Sequence, residues 1–421
     1  MKNAKRKLLF AERMLHGDGR TPFNAVIPFR IKGNIAPENL EGALRKLQHK
    51  HPLLNAFVEK DAAAMPWFVL TDPASLEIPV HVIKRTSEED WKTISEKQWA
   101  IPFDTATGPL VRVIWVKGEV YSELILVIHH CLCDGGSAMA ILTALLELTD
   151  NPDAAFAVEE PIMDASDIIP QEILKSKRKR AKAKLIGGLA SFVLWMIPLK
   201  KKLVERKRDY MIHWKVEKEL SDPLIARCKA EGVTVNTALC TALLLAFKAV
   251  RKENFHNKVS CPVDIRRFAP GIKKDNIFAF GLMFVVSLGK MPGFFDCARE
   301  MQNAIDRKTA SLNAYDTIMM MEASHPALNN FTRFLKYGKS GNDCMFSNLG
   351  RINIPHVYRS FTLDTLFSPS VIGPLGNTTT MVTSTYRGQM DFTFIASEGF
   401  IPYEEAQAIK NQMMAILTQQ V

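Results

Sequence analysis

The segment ELILVIHHCLCDGGSAMAIL, residues 123–142, gathers the side chains best suited to chemistry in this chain. An apolar run enters His129 and His130. Asp134 follows, then Gly135 and Gly136, then a helix-like stretch. A neutral imidazole is the side chain matched to proton transfer near pH 7. Successive strand residues face opposite sides, so the two histidines cannot both enter one cavity. One packs inward, and the other is presented at the strand end. The two glycines let the backbone turn sharply and approach a neighbouring segment closely. Strand, histidine turn, glycine pair and helix together make a rigid mount for one base.

Three other readings compete. Two histidines hydrogen-bonded in a core beside a loop Asp-Gly would be purely structural. A lone histidine favours that reading, whereas four fixed positions between a strand and a helix disfavour it. Zinc bound by His129, His130, Cys131 and Cys133 would need adjacent side chains to converge, and the sequence offers no second ligand cluster. Cys133 as a nucleophile with His130 as its base lacks an orienting third residue and an oxyanion site. The motif therefore reads as a general-base site without metal or cofactor.

The elements that must position it follow from periodicity. PENLEGALRKLQHK predicts a helix over 37–50, with Pro37 at a first helical position and Leu40, Ala43, Leu44 and Leu47 on one face. HPLLNAFVE reads as extended after its proline. LVRVIWV (110–116) alternates like a strand with one wet face, and KGE turns it into the buried partner ELILVIHH. Ser137 suits the N-cap of the following helix. Residues 151–170, rich in Pro, Asp and Ala, read as a surface linker. Beyond residue 211, TVNTALCTALLLAFKAV predicts a buried helix, and KVSCPVDI and LMFVVSL predict strands. TTTMVTSTYRGQMDFTFIAS predicts a hairpin turning at Arg387–Gly388, and PYEEAQAIKNQMMAILTQ predicts a closing amphipathic helix. Both halves mix strands and helices, which predicts an α/β protein of two units: 1–150, a crossover over 151–210, and 211–421.

At 421 residues, 47% apolar and 23% charged, the chain has a globular composition. Its seven cysteines are scattered without any CxxC pair, so neither a disulfide framework nor a zinc ribbon is expected. That pattern fits a reducing compartment. The opening MKNAKRKLLFAERMLHG holds only LLFA before Glu12, too short for a signal-peptide core. A cytoplasmic location is the expectation.

The charge is local. Residues 175–208 carry thirteen Lys or Arg and one acid, Glu205, which outweighs the net charge of +10 for the whole chain. Inside that segment, LIGGLASFVLWMIPL (185–199) is uncharged but short of the roughly 20 residues a spanning helix needs, and Gly187, Gly188 and Pro198 break it. Leu185, Leu189, Phe192 and Met196 fall on one helical face with Trp195 beside it. With Lys177, Arg178, Lys179 and Arg180, this stretch is expected to contact an anionic membrane surface as a peripheral segment. An ordinary crossover packed on the protein is the competing reading. Nucleic acid is not an expected partner, because stacking aromatics are nearly absent.

HHCLCDGG resembles the active-site motif of the chloramphenicol-acetyltransferase-like superfamily. That superfamily includes nonribosomal-peptide condensation domains, alcohol acyltransferases and wax-ester synthases. ALRKLQHKHPLLNAFV, VTVNTALCTALLLAF, CPVDIRRF with FGLMFVVSLGKM, and SNLG at 347–350 resemble further family segments in the same order. The resemblance implies two similar α/β lobes in a V with a channel between them and the motif at its middle. It implies that His130 is the general base, deprotonating an acceptor hydroxyl or amine that attacks a thioester directly, without an acyl-enzyme. His129 and Gly135 would be structural. Asp134 would pair with an arginine from the second half, Arg266 or its neighbour Arg267. Ser347, Asn348 and Ser384 are candidate oxyanion or channel groups by family position. The DFGWG motif of plant-type alcohol acyltransferases is absent, with MDFTFIAS in a similar place, and no carrier-protein or adenylation sequence accompanies the motif.

Together these imply a stand-alone O-acyltransferase with no cofactor. The donor would be acyl-CoA or an acyl carrier protein thioester, and the acceptor an alcohol, in one version a lipid. An amide-forming condensation enzyme and a catalytically idle membrane-binding module of the same fold are the alternatives.

Overall fold

The computed structural model describes residues 4–196, 205–337 and 341–421. Strand β7 (Tyr121–His129) has no polar residue from Leu124 to Ile128, and both its faces are covered. It lies inside a sheet ordered β12 (Phe361–Leu366), β2 (Asn24–Gly33), β7, β6 (Val111–Lys117) and β5 (Val80–Lys84), with β13 (Ser370–Val371) also paired to β2. β2 and β7 are antiparallel, and Asn24 stands opposite His129 at the strand end. β6 does not show the expected wet face; every residue but Lys117 is buried. Its one internal cation explains the difference. Arg112 Nε donates to Gln98 Oε1 at 2.8 Å, and Nη2 donates to the Ile101 carbonyl at 2.9 Å, so the guanidinium is satisfied inside the lobe.

Helix Pro37–Lys50 begins at the predicted proline and buries Leu40, Ala43, Leu44 and Leu47 against the helix that follows the histidines, Gly135–Asp150. HPLLNAFVE is only partly extended: Pro52–Asn55 is a tight helical turn, and the strand β3 (Ala56–Lys60) starts after it. β3 pairs with β4 (Pro66–Leu70), and β1 (Lys5–Lys7) completes that small sheet.

The second lobe is built on six strands in the order β10 (Leu282–Val286), β9 (Val259–Val263), β11 (Cys344–Ile352), β14 (Thr380–Tyr386), β15 (Gln389–Ser397) and β8 (Asp209–Val216). β14 and β15 form the expected hairpin, with Arg387 at φ +52° and Gly388 at φ +83°. Two successive positive φ angles are what a two-residue hairpin turn demands. Helix Val235–Arg251 is capped by the Thr234 side chain and packs against helix Tyr403–Thr418. All seven cysteines are free and buried, and Cys240 and Cys261 lie 3.7 Å apart, sulfur to sulfur. Among the described residues, no single helix is long and apolar enough to cross a membrane.

Lobe and chain position part company at β12 and β13. These strands come from the C-terminal span, yet they extend the first lobe's sheet by pairing with β2. Residues 151–170 are a surface linker only in their first part: Pro152, Asp153, Ala155, Ala157 and Val158 are exposed, whereas the stretch from Glu159 onward turns inward. Ile162, Ala165, Ile168 and Ile169 are buried with Leu9, Ile265, Ala269, Ile272 and Phe278 in a separate apolar cluster between the lobes.

Glu159, also in this stretch, is buried as well. One carboxylate oxygen accepts from His51 Nδ1 at 2.6 Å. The other accepts from the Ile277 N–H at 2.7 Å and from Asn276 Nδ2 at 3.2 Å. A carboxylate taken out of water needs this many donors. Glu159→Ala is expected to destabilise the fold by about 3–5 kcal/mol in denaturant titrations, because it strands three buried donors at once. A loss within error of zero would show that Glu159 does not hold the crossover in place.

Candidate active site

The strand end separates the two histidines as the alternation requires. His129 is buried, and its Nδ1 accepts the Cys131 N–H at 3.3 Å. Burial, with His16, His130 and Arg112 nearby, pushes its pKa down to about 3, so it is neutral and structural. His130 is half-buried, and its backbone N–H donates to the Phe23 carbonyl at 2.8 Å. The Phe23 ring meets the imidazole edge-on at 5.2 Å. Nδ1 of His130 lies 2.7 Å from the Cys133 carbonyl. A carbonyl only accepts, so Nδ1 carries the hydrogen and Nε2 keeps a free lone pair. Burial lowers the pKa of His130, while the Cys133 carbonyl and Asp134 pull it back up. The result is a neutral imidazole with a fixed tautomer and one basic nitrogen to offer.

Asp134, and not Ser137, caps the helix that follows. Its carboxylate accepts the Ser137 N–H at 2.8 Å, one turn into Gly135–Asp150. The Ser137 hydroxyl is engaged elsewhere, donating to the Phe278 carbonyl at 2.9 Å. Arg266, not Arg267, reaches the motif. Its Nη1 lies 2.8 and 3.1 Å from the two Asp134 oxygens, and Nη2 donates to Ser137 Oγ at 2.8 Å and to the Asn276 carbonyl at 3.0 Å. The guanidinium also lies over the Phe278 ring at 4.3 Å. The glycines make room for these contacts. A Cβ on Gly136 would sit 2.9 Å from Arg266 Nη1, and one on Gly135 would sit 2.7 Å from Leu349 Cδ2.

Leu349 belongs to β11, so the SNLG segment lies against the start of the motif helix. Ser347 and Asn348 are half-buried there, with Asn348 Oδ1 accepting the Gly350 N–H at 2.8 Å. Ser384 is a core residue instead of a channel group. It is buried, and its hydroxyl is 3.0 Å from that of Ser368. Of the membrane-contact residues, Lys177, Arg178 and Arg180 are exposed, Lys179 donates to Asp316 at 2.8 Å, and Phe192 is exposed. The side chain of Trp195 lies outside the described residues.

A cleft of ≈ 720 Å³ draws its walls from both halves and the crossover, including Arg13, His16 and Lys60 from the first half, Arg206 from the crossover and Arg333 from the second half. The His16 ring is 6.1 Å from that of His129, and burial takes its pKa down to about 4. Sequence reasoning does not find Phe23, His16, Asn276 and Phe278. Only tertiary packing brings them to the motif, and none carries a local pattern.

Two outcomes follow from these contacts. His130→Ala is expected to lower kcat/KM for acyl transfer by about 10²–10⁴-fold with little change in melting temperature. His129→Ala is expected to cost about 1–3 kcal/mol of stability and less activity, since it empties a buried site and orphans the Cys131 N–H. Unchanged turnover by the His130 variant would remove the base from the mechanism.

Removing either member of the Asp134–Arg266 pair should destabilise by about 3–5 kcal/mol, and a double-mutant cycle should show strong coupling. Gly136→Ala should mimic the loss by pushing Arg266 aside. Additive single effects would separate the two residues energetically.

The Condensation domain family model matches residues 4–267. One plipastatin synthase chain of Bacillus subtilis is 29% identical over 135 residues, which is 32% of this chain but 5% of that protein. The chain thus spans a small fraction of the curated relatives it matches. Among solved structures, it is similar to the TRI3 trichothecene 15-O-acetyltransferase from Fusarium sporotrichioides, with a TM-score of 0.76 at 12% identity, covering 100% of this chain and 96% of that one. Polyketide synthase associated protein 5 from Mycobacterium tuberculosis is similar over 99% of both chains, with a TM-score of 0.68 at 15% identity. These likenesses give a mixed α/β fold with two sheet-rich lobes. The chain belongs to the condensation-domain family.

Proposed function

We propose that this chain transfers an acyl group from a CoA or carrier-protein thioester to an alcohol, with His130 as general base and no acyl-enzyme. The observation that carries the reading is the His130 tautomer: Nδ1 is spent on the Cys133 carbonyl, and Nε2 remains as a base. In the proposed step, Nε2 takes the hydroxyl proton as the acceptor oxygen bonds to the thioester carbonyl carbon. The tetrahedral intermediate then collapses, the C–S bond breaks, and the proton passes from Nε2 to the departing sulfur. The products are an ester and a free thiol. A thiolate is a good leaving group, its conjugate acid having a pKa of about 8.5, so one imidazole suffices for both transfers.

A cysteine acyl-enzyme is disfavoured. Cys131 and Cys133 are buried, and burial pushes both thiols well above their ordinary range. A thiol that stays protonated is a poor nucleophile. An alcohol is the acceptor that gains most from a positioned base, because its hydroxyl must lose a proton as it attacks. Amide formation is the second reading, favoured by the peptide-synthase relatives. It would use the same histidine. The two separate when acyl-CoA and acyl-carrier donors are offered to panels of alcohols, lipids and amines and the released thiol and the product are measured. Absence of His130-dependent thiol release with every donor would leave only the binding-module alternative.

The pH profile is a further check. The base works only when neutral, so activity falls as pH drops through the pKa of His130. Burial lowers that pKa, so the acid limb of kcat/KM is expected below the ordinary histidine value of about 6.5. A limb above that value would contradict a desolvated base.

A further inference from the structure

The crossover helix Lys177–Met196 carries its charge and its grease in succession along its length. Its first two turns expose Lys177, Arg178, Arg180, Lys182 and Lys184. Lys179 is spent on Asp316, and the helix contains no acid. Its later turns present outward the residues Leu185, Ile186, Leu189, Phe192, Val193 and Met196, with Leu185 72% and Leu189 and Met196 each 60% exposed. Their spacing is that of one continuous helical face. The opposite side is seated by small residues. Ala183 is buried, and a Cβ on Gly187 would stand 2.8 Å from the Ala323 carbonyl oxygen. The helix is therefore fixed to the body with its apolar side chains facing solvent, an arrangement that costs free energy unless something covers them.

We propose that this helix docks the protein on an anionic lipid bilayer, its basic turns at the headgroups and its apolar turns dipped into the acyl boundary. Charge and grease in succession select this occupant. A second copy would fit poorly: antiparallel pairing lays the basic turns over apolar ones, and parallel pairing sets cation against cation. A bilayer surface offers anionic headgroups and hydrocarbon at depths a tilted helix reaches together. The helix packs on helix Leu328–Tyr337, whose Leu328, Asn329, Thr332 and Arg333 line the ≈ 720 Å³ cleft. Docking thus holds that cleft beside the membrane. The inference stands on the helix alone and does not depend on acyl transfer.

The test is co-sedimentation of the full chain with phosphatidylcholine vesicles, with and without phosphatidylglycerol. Binding is expected on the anionic vesicles at low salt, weakening as salt screens the charges. Replacing Leu185, Leu189 and Met196 together by Gln should weaken binding by at least about tenfold at an unchanged melting temperature. Replacing Lys177, Arg178, Arg180 and Lys182 by Gln should remove the preference for anionic vesicles, again at least about tenfold. The proposal is overturned if the parent ignores anionic vesicles at low salt, or if the apolar-face variant binds as well as the parent. It also falls if the parent is a dimer that the apolar-face variant splits without any vesicle binding, because a second copy would then be the occupant.

Discussion

The contact on which the rest depends is the one between Arg266 and Asp134. A single carboxylate caps the motif helix through the Ser137 N–H and receives a guanidinium from the other half of the chain. Arg266 in turn holds the Ser137 hydroxyl and the Asn276 carbonyl, so four groups from two lobes share one polar knot. The residue before Asp134 is Cys133, whose carbonyl fixes the His130 tautomer. The geometry of the His130 ring is therefore set by a bond between lobes. Such a knot adds little net stability over an apolar replacement, because desolvating the charges offsets their attraction. What it supplies is register: the guanidinium fork accepts only one placement of the two lobes.

The two histidines show how one backbone step divides labour. Strand alternation sends His129 into the core and leaves His130 at the strand end. Both have lowered pKa values with burial as the first cause, yet their exposed lone pairs differ. The Nδ1 of His129 is an acceptor for the Cys131 N–H, whereas the Nδ1 of His130 is a donor. Opposite hydrogen bonds at the same ring atom give neighbouring residues opposite tautomers, and only the second presents a basic nitrogen away from the backbone.

What the sequence can and cannot reveal follows the range of the interaction. Helix Pro37–Lys50, the β14–β15 hairpin and the strand entering the histidines are written in local periodicity and turn chemistry, and the structure has them where that pattern puts them. The N-cap lies three residues before the serine that local pattern favours. Ser and Asp are both good caps, and only the Phe278 carbonyl and Arg266 decide between them. β6 reads as half-wet because Arg112 is a cation, and nothing local says that Gln98 and the Ile101 carbonyl await it. Glu159 reads as part of a solvated linker for the same reason, since its three donors come from residues 51, 276 and 277. Ser384 matches by position along the chain, but strand pairing turns it into the core against Ser368.

The crossover ties these observations together. Its middle enters the apolar cluster between the lobes through Ile162, Ile168 and Ile169, and Glu159 binds the 276–277 segment whose neighbour Phe278 accepts from Ser137. Polar contacts at the motif are directional and fix register; the apolar cluster behind them is not directional and supplies most of the cohesion. A site assembled this way belongs to neither lobe. It exists only when both lobes and the crossover are in place, and that is a physical reason for β12 and β13 to return to the first lobe's sheet. Pairing with β2, whose Asn24 stands opposite His129, they tether the far lobe to the strand layer that carries the two histidines. Relative motion of the lobes must then strain a sheet, an ion pair and an apolar cluster together, which keeps the free nitrogen of His130 aimed along one line.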